Sequence, residues 1–256
     1  MIKIENTEVV GWEAAIRGMR NPKNSWEKSD SHYEPIFENV IFPDGTGCRT
    51  TQTGTSYVVG SNDLNLMMRL RNAGTDHRKF MRMIAVYVDI TAPLYWWKEF
   101  DTYKVGTVAN SCSTMHKIAA KEFTLDDFSH EHLMDLAEGY SEDDDLVVRV
   151  SVDSPKKVLL HTIETLNYYR EMYLHTKVKP MKDESKRAEL MKKYWWQMIQ
   201  LLPSSYNQKR TVMLNYEVLA NIYKSRKNHK LDEWSVGFMK WIKSLPYSEL
   251  ITGEVK

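Results

Sequence analysis

The segment LNYEVLANIYKSR, residues 214–226, carries Asn215, Asn221 and Arg226 on a predicted helix and is the strongest candidate for chemistry. With about 3.6 residues per turn, positions eleven apart return to nearly the same side, so Asn215 and Arg226 share one face. Asn221 falls elsewhere around the axis. A structural role explains the same residues, since Asn215 can cap a helix and Arg226 in the last turn complements the helix dipole. The residues alone favour this structural role.

A second candidate is the basic segment DHRKFMR, residues 76–82, which contains His77, Arg78, Lys79 and Arg82. It lies between the end of a predicted helix and the start of a predicted strand. Guanidinium groups bind phosphate oxygens two at a time, so the cluster could hold a phosphate or pyrophosphate. The alternative is a solvated basic turn, which is the more common case.

Other motifs give weaker signals. Cys112 and His116 are four residues apart, so on a helix they could share a face as metal ligands or as a thiolate–imidazole pair. Two ligands do not make a site, and a structural cysteine beside a surface histidine is the expected case. The acidic run SEDDD at 141–145 predicts a solvated loop rather than a magnesium site. The sequence has no Gly-rich phosphate loop, GxSxG or HExxH motif, which argues against the enzymes that carry them.

Composition narrows the possible partners. The chain has 256 residues, with 35 basic and 34 acidic side chains, so no global positive field exists to hold a polynucleotide. No apolar run approaches the roughly 20 residues that cross a bilayer, and the N-terminus lacks the pattern of a leader peptide. Two cysteines without metal-ligand spacing do not suggest a secreted disulfide framework. We therefore expect a cytoplasmic protein that binds neither polynucleotide nor membrane.

The elements that must position these residues alternate between strands and helices. Apolar periodicity, caps and Gly or Pro stops predict strands at 2–10, 82–93 and 209–215. The same signals predict helices at 11–19, 62–73, 155–176, 184–202, 216–226 and 231–245. Residues 122–140 read as short helical material, and residues 21–56 as a long irregular connection. The sequence predicts one α+β domain over residues 1–256, rich in helix around a mostly antiparallel sheet.

The order of these elements resembles the flavin-dependent thymidylate synthases, also called thymidylate synthase complementing proteins. The resemblance covers roughly residues 60–120 and 185–250: a strand ending in Ala-Pro, aromatics, a polar tract, a helix ending in Leu-Pro, and an Asn-led helix with a distal Arg. Counted from Pro93, the family's Arg-His-Arg signature falls on Thr102, Tyr103 and Lys104. Only Lys104 keeps a positive charge, so the resemblance implies cofactor binding by other basic residues, with Arg78 and Arg82 as candidates.

The resemblance also implies roles for individual residues. Asn215 and Asn221 fall on asparagines that contact the flavin, and Arg226 falls on the arginine that holds and polarises the pyrimidine ring. His229 or Lys230 could fill a further flavin contact. The family's nucleotide-binding tract falls on five small polar residues that can donate hydrogen bonds to a phosphate or ribose: Asn110, Ser111, Cys112, Ser113 and Thr114.

Glu217 stands where the family has an arginine. A carboxylate there could accept hydrogen bonds from an exocyclic amine, which motivates the hypothesis of a cytosine nucleotide as substrate. A glutamate favoured by the dipole in a helix's first turn explains it equally well.

The resemblance implies an enzyme that binds FAD and a pyrimidine deoxynucleotide, dUMP or dCMP, and transfers a one-carbon unit to C5 of the base. The family requires no protein nucleophile, because the flavin carries hydride or the one-carbon unit. NADPH and methylenetetrahydrofolate are the implied co-substrates, and a homotetramer is the implied assembly. The alternative is a non-catalytic nucleotide- or partner-binding protein that keeps the fold.

Overall fold

The computed structural model describes residues 2–135 and 153–254 and has the predicted α+β architecture. The α-helices are α1 (Trp12–Arg20), α2 (Ser61–Asn72), α3 (Leu94–Phe100), α4 (Thr114–Lys117), α5 (Pro155–Val178), α6 (Glu184–Leu201), α7 (Tyr216–Arg226), α8 (Met239–Ser244) and α9 (Glu249–Thr252). The strands are β1 (Lys3–Val10), β2 (His32–Ile41), β3 (Cys48–Val58), β4 (Ala85–Pro93), β5 (Val108–Ser111) and β6 (Asn207–Asn215).

Four strands form the main sheet in the order β1-β4-β6-β5. The apolar positions of the predicted strand at 82–93 lie on one face, as expected, because Ile84, Val86, Val88 and Ile90 are all buried. The predicted strands at 2–10 and 209–215 are confirmed as β1 and β6. Three of the four strands thus match predicted strands, whereas β5 was not predicted from the sequence.

The prediction of an irregular connection over residues 21–56 is wrong for most of its length. Strands β2 and β3 pair antiparallel in a hairpin, with Tyr33 opposite Tyr57 and a register shift at Ile36/Phe37. Side chains on both faces are exposed, including Phe37 at 59% and Ile41 at 72%, so no burial alternation marks the strands. The Thr-rich composition that suggested a loop is instead a β-forming one.

Helix α2 begins near residue 62, as predicted, and a side chain from outside the helix completes its N-terminus. Gly60 is the N-cap, and the carboxylate of Asp30 accepts the backbone N–H groups of Asn62 (2.9 Å) and Asp63 (3.1 Å). These bonds lower the pKa of Asp30, although partial burial opposes them. A Cβ on Gly60 would lie 2.2 Å from the Asp30 carboxyl, so only glycine allows this approach.

The described residues group into two compact units, and the prediction of a single domain stays a prediction. The first unit is built mainly from residues 90–102 and the described part of 110–210. One apolar core in it packs helices α5 and α6 against the segment that follows α4. In the same unit, the rings of Trp96, Trp97 and Phe100 pack together within about 5 Å of each other.

The second unit consists of residues 4–89, 103–109 and the described part of 211–256. At its centre the ring of Trp12 packs edge-on against Tyr216 at 5.2 Å and Tyr247 at 5.1 Å. The hydroxyl of Tyr216 donates to the carbonyl of Pro246 at 2.5 Å, and burial raises its pKa. These contacts fix the start of α7 in the core.

Some of the remaining helix predictions are confirmed by the structure, and others are wrong. Helices α5 and α6 begin at the caps Ser154 and Asp183, as their sequences indicate. Within 122–135 only Leu125–Asp127 is helical, as a short 3-10 turn, so the helical prediction fails there. Residues 136–140 and the SEDDD run lie outside the described residues. The final predicted helix starts as a π-helix, Glu233–Phe238, continues as α8, and is followed by the unpredicted α9.

Across the described helices, none is both long and apolar enough to cross a membrane.

Candidate functional site

The start of α7 is fixed by Asn215, which caps the helix as the sequence predicts. Its Oδ1 accepts the backbone N–H of Val218 at 3.0 Å, and the N–H of Tyr216 donates to the carbonyl of Ile84 at 3.1 Å. Gly106 (φ 78°) packs against this cap, since a Cβ there would lie 2.9 Å from Nδ2 of Asn215. The structural role of Asn215 is confirmed, and its amide nitrogen faces a glycine turn.

Glu217, in the first turn of α7, gathers the two arginines of the basic segment. Its side chain is 7% exposed, and its Oε1 accepts from Nε of Arg78 at 3.3 Å. Arg82 contacts both carboxylate oxygens, with its Nε at Oε2. A second nitrogen of Arg78 donates to Oδ1 of Asn221 at 3.1 Å. The structure therefore brings together four predicted site residues, and the DHRKFMR segment is not merely a solvated turn.

Two guanidiniums share the carboxylate of Glu217 in this cluster. The negative charge of Asp76 also acts on Arg82. The Arg82 side chain is 57% exposed, and its hydrogen bond to Glu217 raises its pKa. The burial of Glu217 under both arginines favours a role in holding them rather than in contacting a base.

Arg226, at the end of α7, is held by aromatic side chains. Its Nε donates to the hydroxyl of Tyr103 at 2.9 Å. Its guanidinium carbon lies 5.7 Å from the ring centre of Tyr103 and 5.3 Å from that of Trp234, within cation–π range. Sequence reasoning missed this contact, although Tyr103 stands at a position of the family's signature.

Lys104 and His229 take more peripheral positions. Lys104 is exposed in the turn that leads to Gly106. Nδ1 of His229 accepts the backbone N–H of Leu231 at 3.1 Å, and the backbone N–H of His229 donates to the carbonyl of Arg226 at 3.0 Å. His229 thus closes the turn after α7, and the long side chain of Lys104 is exposed at the surface.

The polar tract 110–114 belongs to the first unit. Asn110 and Ser111 are exposed on β5, and Ser113 caps the short helix α4 by accepting from the N–H of His116 at 3.1 Å. Nε2 of Gln208 donates to the Cys112 carbonyl (3.1 Å) and to the Thr114 hydroxyl (3.0 Å). The tract borders a cleft of about 230 Å³ that includes basic side chains: Lys117, Lys121 and Lys209.

The suggested pairing of Cys112 with His116 on a helix is wrong. Helix α4 begins at Thr114, so Cys112 precedes it, and its backbone N–H donates instead to the carbonyl of Lys209 at 2.9 Å. No group of three or more His, Cys, Asp or Glu that could hold a metal occurs within residues 2–135 and 153–254. Both cysteines are exposed free thiols.

Comparison with known proteins shows which solved structures have a similar fold. No protein-family model and no curated protein sequence matches the chain. The flavin-dependent thymidylate synthase of Helicobacter pylori, solved with FAD and dUMP, is similar at TM-score 0.57 and 16% identity, covering 98% of each chain. A second structure of thymidylate synthase X from Helicobacter pylori, also with FAD and dUMP, gives TM-score 0.58 and 14% identity over 99% of this chain and 98% of that one. The predicted fold is thus confirmed: the chain is folded like the flavin-dependent thymidylate synthases along nearly its whole length.

Proposed function

We propose that this protein is a flavin-dependent enzyme that binds FAD and a pyrimidine deoxynucleotide and transfers a one-carbon unit to C5 of the base. The observation that carries the proposal is the cation at the end of α7. Arg226 is fixed by the hydroxyl of Tyr103 and the rings of Tyr103 and Trp234, at the position that the resemblance assigns to the pyrimidine-binding arginine. The likeness to structures solved with FAD and dUMP supports it.

Arg226 would act on the base electrostatically. As a nucleophile or hydride adds to the pyrimidine, negative charge develops on the ring oxygens, and a fixed guanidinium stabilises that charge. Holding the guanidinium in place beforehand avoids the cost of reorienting it during the reaction. Tyr103 and Trp234 would therefore be positioning residues, because they act on the substrate through Arg226.

The residues around α7 fit the cofactor. Asn215, Asn221, Arg78 and Arg82 offer amide and guanidinium donors, and such donors suit the phosphates of FAD. Lys104 and His229 are further candidates: Lys104 lies in the turn that leads to Gly106, which packs on Asn215, and His229 lies in the turn after α7. When bound, FAD supplies the hydride or one-carbon chemistry that protein side chains lack. Glu217 would set the orientation of Arg78 and Arg82, a role different from the predicted contact with a base.

The nucleotide would be held by the polar tract of the first unit. Asn110, Ser111 and Cys112 are exposed, and the hydroxyls of Ser113 and Thr114 lie beside a cleft with basic side chains. Amide, hydroxyl and ammonium donors suit a deoxynucleotide monophosphate. We further propose NADPH and methylenetetrahydrofolate as co-substrates, a homotetramer, and a reducing cytoplasmic location that agrees with two exposed free thiols.

FAD titration tests the cofactor directly. The purified protein should be yellow, or should gain flavin absorbance that survives desalting after incubation with FAD. Arg78→Ala should weaken FAD binding about tenfold or more, because a charge-assisted hydrogen bond contributes about 1.5 to 3 kcal/mol. Lys79→Ala removes one charge from the same turn and should change binding less than about threefold. A colourless protein that takes up no FAD would favour the non-catalytic binding protein.

Thermal shifts should identify the base. With FAD present, a nucleotide at 100 times its dissociation constant should raise stability by about 2.7 kcal/mol, or roughly 5 to 10 °C in Tm. Because the shift grows with the ratio of concentration to dissociation constant, dUMP and dCMP are compared at the same concentration. A larger shift with dCMP would support the cytosine hypothesis, and a larger shift with dUMP would reject it. Equal shifts with ribose phosphate alone would show that the base is not recognised.

A further inference from the structure

A cationic cleft in the second unit lies beside the proposed flavin contacts. It has a volume of about 370 Å³ and lies between the end of α2, the outer face of α7 and α9. Four basic residues line it, Arg71, Arg78, Lys224 and Lys227, and no carboxylate does so among the described residues. Such an excess of one charge at close range is unfavourable unless solvent or a bound anion compensates it.

Arg71 is anchored in this cleft by the backbone of α9. Its Nε donates to the carbonyl of Leu250 at 3.1 Å, one terminal nitrogen donates to that of Ile251 at 3.2 Å, and the other donates to Oδ1 of Asn72 at 2.9 Å. Gly253 (φ 77°) packs on the guanidinium, since a Cβ there would lie 2.6 Å from both terminal nitrogens. A guanidinium has five N–H bonds, so two remain beyond these three contacts.

The two lysines complete the cleft from α7. Lys224 and Lys227 are exposed, lie three residues apart and therefore share one helix face, together with Asn221. The carboxylate of Glu254 is already engaged, because it accepts from the hydroxyl of Tyr223 at 2.7 Å and lies 3.7 Å from Lys243. The ammonium of Lys227 lies 5.9 Å from the ring centre of Tyr223. The hydrogen bond from Tyr223 and the charges of Lys243 and Lys227 lower the pKa of Glu254, so this carboxylate is near the rim of the cleft but does not line it.

The balance of charges in the cationic cleft differs from that around Glu217. There, Arg82 is neutralised by the buried carboxylate, and Arg78 shares the same oxygen. In the cleft, burial and the positive charge of Arg78 lower the pKa of Arg71, which indicates that the guanidiniums repel each other. A bound anion would relieve that repulsion.

We infer that this cleft binds a pyrophosphate group, with Arg71, Arg78, Lys224 and Lys227 as its ligands. Arginine forks and lysine point charges are the usual partners of phosphate oxygens, and four cations match a diphosphate better than a single phosphate. The inference deepens the proposed function, since FAD is a pyrophosphate-bearing dinucleotide. It assigns the phosphate-holding role to Lys224 and Lys227 in addition to the arginines that the sequence singled out.

Calorimetric titrations at low ionic strength test the inference with four probes: inorganic pyrophosphate, ADP, FAD and riboflavin. The double variant Lys224→Ala/Lys227→Ala should weaken pyrophosphate, ADP and FAD about tenfold or more, since each lost ammonium removes a charge-assisted bond. Riboflavin, which has no phosphate, should change less than about threefold. The control Lys192→Ala/Lys193→Ala removes the same charge from exposed positions on α6 and should leave all four affinities within about threefold.

The possible results distinguish failure of the pyrophosphate site from failure of the proposed enzymatic function. Pyrophosphate and ADP binding that depends on the two lysines supports the cleft, even if FAD does not bind and the proposed function fails. A protein that binds no pyrophosphate, or binds it with an affinity that the double variant leaves unchanged, overturns the cleft as a pyrophosphate site while leaving the enzyme proposal intact. FAD binding that is insensitive to the double variant overturns the assignment of the cleft to FAD. An equal loss of pyrophosphate affinity in the α6 control also overturns it, because general electrostatics would then explain the effect.

Discussion

Replacing Arg226 with alanine is expected to lower kcat for one-carbon transfer by about 10²- to 10³-fold, while FAD stays bound with its Kd changed less than about threefold. The size of the effect is that of removing one preorganised donor that faces developing charge. Arg226 is the last residue of α7, where alanine is compatible with the helix, so its loss should not unfold the chain. Single-turnover assays and flavin absorbance measure the two quantities separately.

Two matched variants make this prediction specific. Arg226→Lys keeps the charge but loses the planar fork that donates to Tyr103, so it should recover only part of kcat. Tyr103→Phe removes the 2.9 Å hydrogen bond and keeps the ring, so it should lower kcat by about tenfold or less. A variant of Arg226 that loses flavin in proportion to activity would assign the residue to the cofactor. Unchanged kcat in Arg226→Ala would reject its proposed role.

Local patterns in the sequence predicted most of the fold. Residues Val86, Val88 and Ile90 alternate on a buried face, and Asn215 stands between a strand and a helix that it caps. Such features depend on neighbours a few residues away, which is the range over which a sequence pattern carries information. The β2–β3 hairpin was missed because both of its faces are exposed, so burial leaves no alternation in the sequence.

The contacts that define the candidate site are of another kind. Arg78 meets Glu217 across 139 residues, and Arg226 meets Tyr103 across 123. No local pattern specifies such pairs, since the charge or ring that completes each of them lies in a distant segment. The resemblance to a family supplied candidate positions, but it could not reveal that Glu217 faces the arginines of the basic segment. Which charged side chains pair with each other at this site can therefore be determined only from the folded structure.

The largest expected effect on stability also comes from a distant pair, Arg20 and Asp63. Both side chains are buried, at 5% and 0% exposure, and Nε of Arg20 lies 2.7 Å from Oδ1. The other oxygen, Oδ2, accepts the hydroxyls of Ser29 and Ser31 at 2.6 Å each. The remaining donors of Arg20 reach the carbonyls of Ser25 (3.1 Å) and Lys28 (3.0 Å). The network ties α1 and α2 to the segment between them.

Arg20→Ala should lower the free energy of unfolding by about 3 to 5 kcal/mol, because it leaves a buried carboxylate without its partner. Arg17→Ala is the matched control on the same helix. Arg17 lies 3.9 Å from Glu13, and both side chains are more than half exposed, so its loss should change stability by about 0.5 kcal/mol or less. Urea midpoints of both variants measure the difference, and equal midpoints would show that the buried pair contributes no more than a surface pair.

The same network predicts a dependence on pH. Burial alone would raise the pKa of Asp63, but hydrogen bonds from Ser29, Ser31 and Arg20 outweigh it and lower the pKa below its ordinary value of 3.8. A lowered native pKa means that the carboxylate contributes its full stability above 3.8 and loses it as the pH falls through the native value. The stability difference between the wild-type chain and Asp63→Asn should therefore be constant near neutral pH and shrink below pH 3.8. A difference that grows in acid would mean that the native state holds this carboxyl protonated.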